Sequence, residues 1–491
     1  MAVSEPDVDL LDSNLAGGVA IRGGALRTLA YVASMLLSLA SVPFMTRHLG
    51  TVDYGYFVAV SSIIFIIGGV TEAGLTYMGI REYAVLDGPA RDRYLRQLVG
   101  LRLALTVVGV LVATGFTAVT GARTVVVEGT FITGVGLLLT LTQQTYMVSL
   151  SARLKLGWVS ALELLKHATI SVSMIALVVA GASLLPFFLT SVFGGIVILL
   201  CTLLVLRSEA ALLPAFDLAE WKRMLREVAP FALAAAVGLV YFRLAIILMS
   251  YIADASETGI YGAAYRIVET VGVIPWLLVS SGFPILARAA RDDTGRLRYG
   301  LQKLFEVSAL LGAVGALCVA IGAQFAIDVV AGPKFQDSVP VLRLQAIALF
   351  TSFFVATGSF ALLSLKRYRA LLIPNLVAAV TAAVATLVLV PPWGAEGAAV
   401  ATCGAEAVLA VGYLVSLWRV DRTLVPSFAI VPRLLPGIAA ASAIGIWVPA
   451  HPVILVALAA LAYLGLAFLF RAVPPELINA ALRRDPQPDD A

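Results

Sequence analysis

Residues 184–206 read LLPFFLTSVFGGIVILLCTLLVL, and no Asp, Glu, Lys or Arg interrupts them. A helix rises ~1.5 Å per residue, so about twenty apolar residues in a row cross the ~30 Å hydrocarbon core of a bilayer. A stretch with no polar face predicts a membrane-spanning helix. Runs of the same kind recur on either side of it. They lie at 22–46, 54–79, 98–120, 126–150 and 158–180 before it, and at 228–252, 258–286, 302–324, 341–364, 370–391, 395–418, 430–449 and 452–471 after it. The pattern predicts an all-α integral membrane protein with about 14 transmembrane helices. Composition agrees: the 491 residues are 60% hydrophobic and 13% charged, where a soluble domain carries ~25% charged residues. Little chain remains for a sizeable water-facing domain.

Charge placement tests the count, because one missed or invented helix would move every later loop to the other side. With a cytoplasmic N-terminus, 27 of the 34 basic residues fall on the inner side. They include Arg81, Arg91, Arg93, Arg96 and Arg102 in one group, Arg288 to Lys303 in a second and Lys366, Arg367 and Arg369 in a third. Only Arg47, Arg123, Lys334 and Arg343 fall outside, while Lys166, Arg243 and Arg266 fall within spans. This asymmetry predicts a multi-pass protein of the cytoplasmic membrane with both termini inside. The inner basic runs are then partners of anionic lipid and not of nucleic acid. Trp158, Trp393, Trp418 and Trp447 lie near span ends, where amphipathic rings settle at an interface. Cys201, Cys318 and Cys403 sit in apolar runs and read as packing residues. The first twenty residues lack a basic n-region and do not read as a cleaved signal.

An internal repeat supports a two-part plan. Asp53-Tyr54-Gly55-Tyr56-Phe57-Val58-Ala59 resembles Glu257-Thr258-Gly259-Ile260-Tyr261-Gly262-Ala263, 204 residues later, and both sit at an outer turn. That spacing suits two six-helix sets in parallel repeat.

Thr46-Arg47-His48-Leu49-Gly50, followed by Asp53-Tyr54-Gly55 and Arg81-Glu82, resembles the first helical hairpin of bacterial polysaccharide flippases, members of the multidrug/oligosaccharidyl-lipid/polysaccharide exporter superfamily. Gly332-Pro333-Lys334-Phe335 and Asn375 through Pro391-Pro392-Trp393-Gly394-Ala395-Glu396-Gly397 resemble two later segments of that family. The resemblance implies two six-helix lobes with pseudo-two-fold symmetry around a central cavity, plus two C-terminal helices. It implies a cytoplasmic segment 1–21, an N-lobe 22–226, a C-lobe 227–425, helices thirteen and fourteen in 426–472 and a cytoplasmic tail 473–491. The implied activity is transfer of a polyprenyl-pyrophosphate-linked oligosaccharide or related precursor to the outer leaflet by alternating access. Glycan polymerase and glycosyltransferases are the implied protein partners, and a proton or sodium ion the coupling ion. A cation-coupled multidrug exporter and a lipid II flippase stay open as alternatives. A transporter, not an enzyme, is expected, because no G-x-x-x-x-G-K-[ST] loop, H-E-x-x-H pair or metal-spaced cluster stands in the sequence. No cofactor is expected.

Charges inside apolar spans are costly and mark transport paths. Arg243 and Glu269 lie about nine and eleven residues from the outer ends of their spans, at similar depth, and Arg266 stands one turn from Glu269. One acid shared by two arginines leaves net positive charge, and a planar guanidinium binds phosphate bidentately. Arg243, Arg266, Lys166 and Arg47 are therefore the candidate pyrophosphate and cavity cations. In the alternative structural reading, Arg243 and Glu269 latch two helices. Glu269, Glu406 and Glu72 are the candidate cavity or coupling acids; Glu406 has no base within one turn. Glu163, Lys166 and His167 share a helix face at i, i+3 and i+4, where local neutralisation accounts for them. Gln143, Gln144, Thr145 and Tyr146 form a polar cluster able to bond sugar hydroxyls or a neighbouring helix.

Overall fold

The computed structural model describes residues 16–72, 74–207 and 213–473. The expected N-terminal segment and C-terminal tail lie almost wholly outside the described residues. Helices in chain order are α1 (Ala16–Glu72), α2 (Leu75–Val85), α3 (Gly88–Val119), α4 (Thr124–Ala152), α5 (Leu156–Val179), α6 (Leu184–Leu206), α7 (Leu218–Ile252) and α8 (Ala255–Val271). They continue with α9 (Val273–Asp292), α10 (Thr294–Ile321), α11 (Ala323–Val330), α12 (Ser338–Ser364), α13 (Tyr368–Val420), α14 (Val431–Trp447) and α15 (Pro452–Leu469). Among the described residues ten helical stretches are long and apolar enough to cross a membrane, and Ala236–Ile252 and Val431–Trp447 are shorter apolar helices. The chain is an all-α multi-pass membrane protein. Trp158, Trp393, Trp418 and Trp447 are all exposed, as interfacial rings should be.

Several expected boundaries move, for identifiable reasons. The expected turns near 47–53 and 392–394 shrink to single residues, Gly50 (φ 72°) and Gly394 (φ 51°), inside otherwise continuous helices. Glycine turns the chain at positive φ without a Cβ clash, so one residue suffices. The expected span 258–286 appears as one apolar stretch, Ala255–Ser280, whose helix is interrupted at the single residue Gly272. Pro275 has no N–H to return to the Val271 carbonyl, so α8 stops at Val271. Helix α7 begins at Leu218, ten residues ahead of the expected span, and its extra turns are polar. Trp221, expected in the connector, lies in this helix and donates its indole N–H to Gln97 O at 3.2 Å.

The chain divides into two compact units, Met1–Arg243 and Leu244–Ala491. In the first, α1 packs along α5, and α4 along α3 and α6, over a core that includes Leu95, Leu98, Leu150 and Ile198. Gly195 lets α6 approach Leu139 of α4, and Gly69 of α1 faces Leu239 of α7, the close packing expected of small residues in membrane helices. In the second, α12 packs along α10 and α13, and α14 and α15 rest on α10 through Phe305, Leu434, Ala441 and Tyr463.

Three positive-φ positions of the first unit recur in the second. Gly121 and Gly332 are 211 residues apart, Leu154 and Lys366 are 212 apart, and Gly181 and Gly394 are 213 apart. Around the middle pair even the hydrogen bonds repeat: Leu154 N to Ser151 O and Lys155 N to Leu150 O in one, Lys366 N to Leu363 O and Arg367 N to Leu362 O in the other. The spacing grows from the 204 residues of the sequence repeat where the eight-residue α11 is inserted ahead of α12. A backbone signature thus supports the repeat that the side chains show only faintly.

The two limbs of α13 lie side by side and are stitched at their basic ends. Pro374 cannot donate to the Ala370 carbonyl, and Ser416 of the other limb does so instead, at 3.2 Å. Asn375 donates to Tyr413 Oη at 3.0 Å. Ser416→Ala removes the side-chain donor to that carbonyl and is expected to cost about 1 kcal/mol, measured as a lowered midpoint in thermal unfolding of the purified protein.

Candidate functional site

A cavity of about 280 Å³ opens in the first unit, with Glu72, Thr76, Gln144, Ser151, Ser160 and Glu163 on its wall among aliphatic side chains such as Ile80 and Val148. Its position follows from the helices. Glu72 ends α1, Thr76 follows one turn later in α2, and Gln144 and Ser151 stand two turns apart on α4. Ser160 and Glu163 occupy the first two turns of α5.

Behind Glu72 lies Arg102, whose side chain is 1% exposed. Its Nη2 meets Glu72 Oε1 at 3.2 Å. The same guanidinium donates to Thr76 Oγ1 at 3.1 Å and to Thr145 Oγ1 at 3.2 Å. An arginine this deep is tolerable only with a counter-charge and hydrogen bonds in place. Charge counting had put Arg102 among the inner-loop bases. The structure corrects this, because α3 starts at Gly88, so Arg102 stands about 20 Å along the helix and inside the bundle.

The second acid is held in the same manner. Lys166 Nζ meets Glu163 Oε1 at 2.6 Å, and His167 Nε2 lies 3.5 Å from the same oxygen. His167 Nδ1 is 2.8 Å from Ser38 Oγ, which ties α5 to α1. The reading of Glu163, Lys166 and His167 as a locally neutralised group agrees with this geometry. The fact that Glu163 shares its cavity with Glu72 was not foreseen. With two carboxylates, Arg102 and Lys166 formally charged, the group is close to neutral, and each cation is ion-paired to an acid of the wall.

The remaining predicted residues lie elsewhere. Arg47 is exposed in α1 just ahead of the Gly50 turn, which lies ~33 Å of helical rise from Glu72. Arg243 of α7 is half-buried with its guanidinium 4.5 Å from the centre of the Phe65 ring, a cation–π contact favourable away from water. In the second unit Arg266 Nη1 meets Glu269 Oε2 at 3.2 Å, as their spacing implied. Arg243 belongs to the first unit and Glu269 to the second. Glu406 is buried in the second limb of α13, beside Cys403, whose thiol meets Leu344 O at 3.1 Å. One turn before Glu406, Thr402 bonds to Tyr261 Oη at 2.8 Å.

Sequence reasoning missed Arg102, Thr76 and Thr145 as a cluster. The available signal was the i, i+4 spacing of Glu72 and Thr76 opposite a base already within an apolar run.

A family model described as "Polysaccharide biosynthesis protein" matches residues 20–290, more than half of the chain. No curated protein matches the sequence. Among solved structures, the lipid II flippase MurJ in an inward closed conformation is similar with a TM-score of 0.73, at 14% identity, over 92% of this chain and 100% of that one. An inward-facing multidrug resistance MATE family transporter of the MOP superfamily is similar with a TM-score of 0.58, at 14% identity, over 81% and 95%. The MATE multidrug transporter DinF-BH gives 0.58 at 14% identity, over 86% and 99%. At such identities the likeness establishes a shared fold.

Proposed function

The chain belongs to the polysaccharide biosynthesis protein family, and from that premise we propose that it moves a polyprenyl-pyrophosphate-linked oligosaccharide or related precursor from the cytoplasmic to the outer leaflet by alternating access. The observation that carries the reading is the cavity of the first unit, where Arg102 and Lys166 are ion-paired to Glu72 and Glu163. A protein that only scaffolds a membrane gains nothing from burying these charges, which hydrocarbon penalises.

The cavity has the groups such a cargo needs. Gln144, Ser151, Ser160 and Thr76 offer hydrogen bonds to sugar hydroxyls. A pyrophosphate can compete with Glu163 for Lys166 and with Glu72 for Arg102, trading one anion for another without leaving a buried cation bare. Arg243 of the first unit and Arg266, paired with Glu269, of the second hold the pyrophosphate later in transit, and Arg47 meets it at the outer end. Glu406 and Glu72 are the acids whose protonation couples transport to a proton or sodium gradient. A near-neutral group suits exchange of an anionic cargo better than capture of a cationic drug. The protein works in the cytoplasmic membrane with its basic helix ends inside. Glycan polymerase or glycosyltransferases are its working partners.

Reconstituted vesicles loaded with a fluorescent lipid-linked oligosaccharide test this by the rate at which label reaches the outer leaflet. Lys166→Ala and Arg243→Ala are expected to slow translocation about tenfold or more, the loss of one charge-assisted phosphate contact. Normal rates in both variants, at normal insertion, would refute the proposal. Equal transport of lipid II by the wild type would instead reassign the cargo.

A further inference from the structure

The second unit holds a larger cavity, about 970 Å³, between the two limbs of α13. It lies at the top of the ~300–1,000 Å³ range of small-molecule sites. One end is cationic: Lys366, Arg367, Arg369 and Arg419 all line it. The rest is aliphatic, with Ile373, Val377, Val411 and Val415 among the side chains on its sides, and all four of these are exposed.

The cationic end arises because α13 doubles back at Gly394, which returns Arg419 to the level of Arg369. Among the described residues none of the four bases forms an ion pair. Lys366 also occupies a left-handed position, φ 56°, which side chains seldom adopt. The equivalent turn of the first unit takes Leu154 there, so the backbone itself does not call for a base. The floor is built as well: Pro374 packs on Gly412, where an added Cβ would approach the ring at 2.8 Å, and Ser416 closes the Ala370 carbonyl.

A cluster of unpaired cations at the end of an exposed aliphatic slot is complementary to one kind of molecule, a phosphate carrying hydrocarbon chains. We infer that this groove is a binding site for an anionic phospholipid, with its phosphate on Lys366, Arg367, Arg369 and Arg419 and an acyl chain between the limbs of α13. Basic pockets between membrane helices hold lipid headgroups in this way. The inference needs only that these helices lie in a bilayer, and it does not depend on the cargo proposed above.

Native mass spectrometry of the purified protein tests it, with phosphatidylglycerol and phosphatidylcholine as probes at graded detergent activation. The wild type should keep one phosphatidylglycerol under conditions that strip phosphatidylcholine. Arg369→Ala with Arg419→Ala should weaken that binding about thirtyfold. Val411→Trp, at an exposed position that fills the slot without touching a base, should also expel the lipid while the protein elutes as wild type on size exclusion. Equal retention of both lipids, or unchanged retention in both variants, overturns the inference. So does full competition by inorganic phosphate, which marks a free-anion site, or displacement by polyprenyl pyrophosphate at equal concentration, which gives the groove to the cargo. Lipid retention is read without translocation, so a negative result here leaves the flippase assay standing, and the reverse also holds.

Discussion

Glu72→Ala should destabilise the protein by about 3 kcal/mol, because it strands a buried charge. Glu72 is partly exposed, at 32%, while its partner Arg102 is 1% exposed, so the cost falls on the arginine. With the carboxylate gone, the guanidinium keeps only the Thr76 and Thr145 hydroxyls, neutral acceptors in a region where charge is poorly screened. The diagnostic result is the double variant. Arg102→Met removes the stranded charge and fills its volume with an unbranched apolar chain, so Glu72→Ala with Arg102→Met should recover most of the lost stability. Thermal or denaturant unfolding in detergent reads all three proteins. If the double variant is no more stable than Glu72→Ala, the pair does not act as a charge couple.

Gly394→Ala should cost about 2 to 3 kcal/mol, from two sources that can be separated. The first is the left-handed backbone, φ 51°, which penalises any side chain by about 1 kcal/mol. The second is Glu257. Its Oε2 accepts the Ala395 N–H at 2.7 Å, capping the second limb of α13 at the positive end of its dipole. A Cβ on residue 394 would overlap that same oxygen, so the alanine evicts the cap. Glu257→Ala alone should cost about 1 kcal/mol for the lost cap. In that background Gly394→Ala should cost only its backbone share. The two substitutions are thus expected to be less than additive, as contacting residues are. Strict additivity would show that the carboxylate and the glycine do not compete for one space.

The elements read most clearly from sequence were those with uninterrupted hydropathy. Spans such as 184–206 reappear as α6 with the same limits. Boundaries failed where polar residues continue a helix past its apolar part. Helix α3 gains ten residues before the expected start, so Arg102, near the start of the expected span 98–120 and grouped with the inner bases, stands deep in the helix. Arg266 with Glu269, and Glu163 with Lys166, were legible because helical spacing alone brings them together. Glu72 with Arg102 was not, since thirty residues separate them and only tertiary packing makes them neighbours. The groove of α13 was hidden for a related reason. Its bases looked like ordinary inner-loop charge until the doubling back at Gly394 set Arg419 beside Arg369.

That doubling back has a mechanical consequence. A hinge needs spare chain, and between the limbs of α13 there is one residue, clamped by Glu257 from α8 and backed lower down by Ser416 and Tyr413. Such a hairpin is a stiff prong. The first turn of α8 therefore holds the tip of the prong whose basic feet flank the groove.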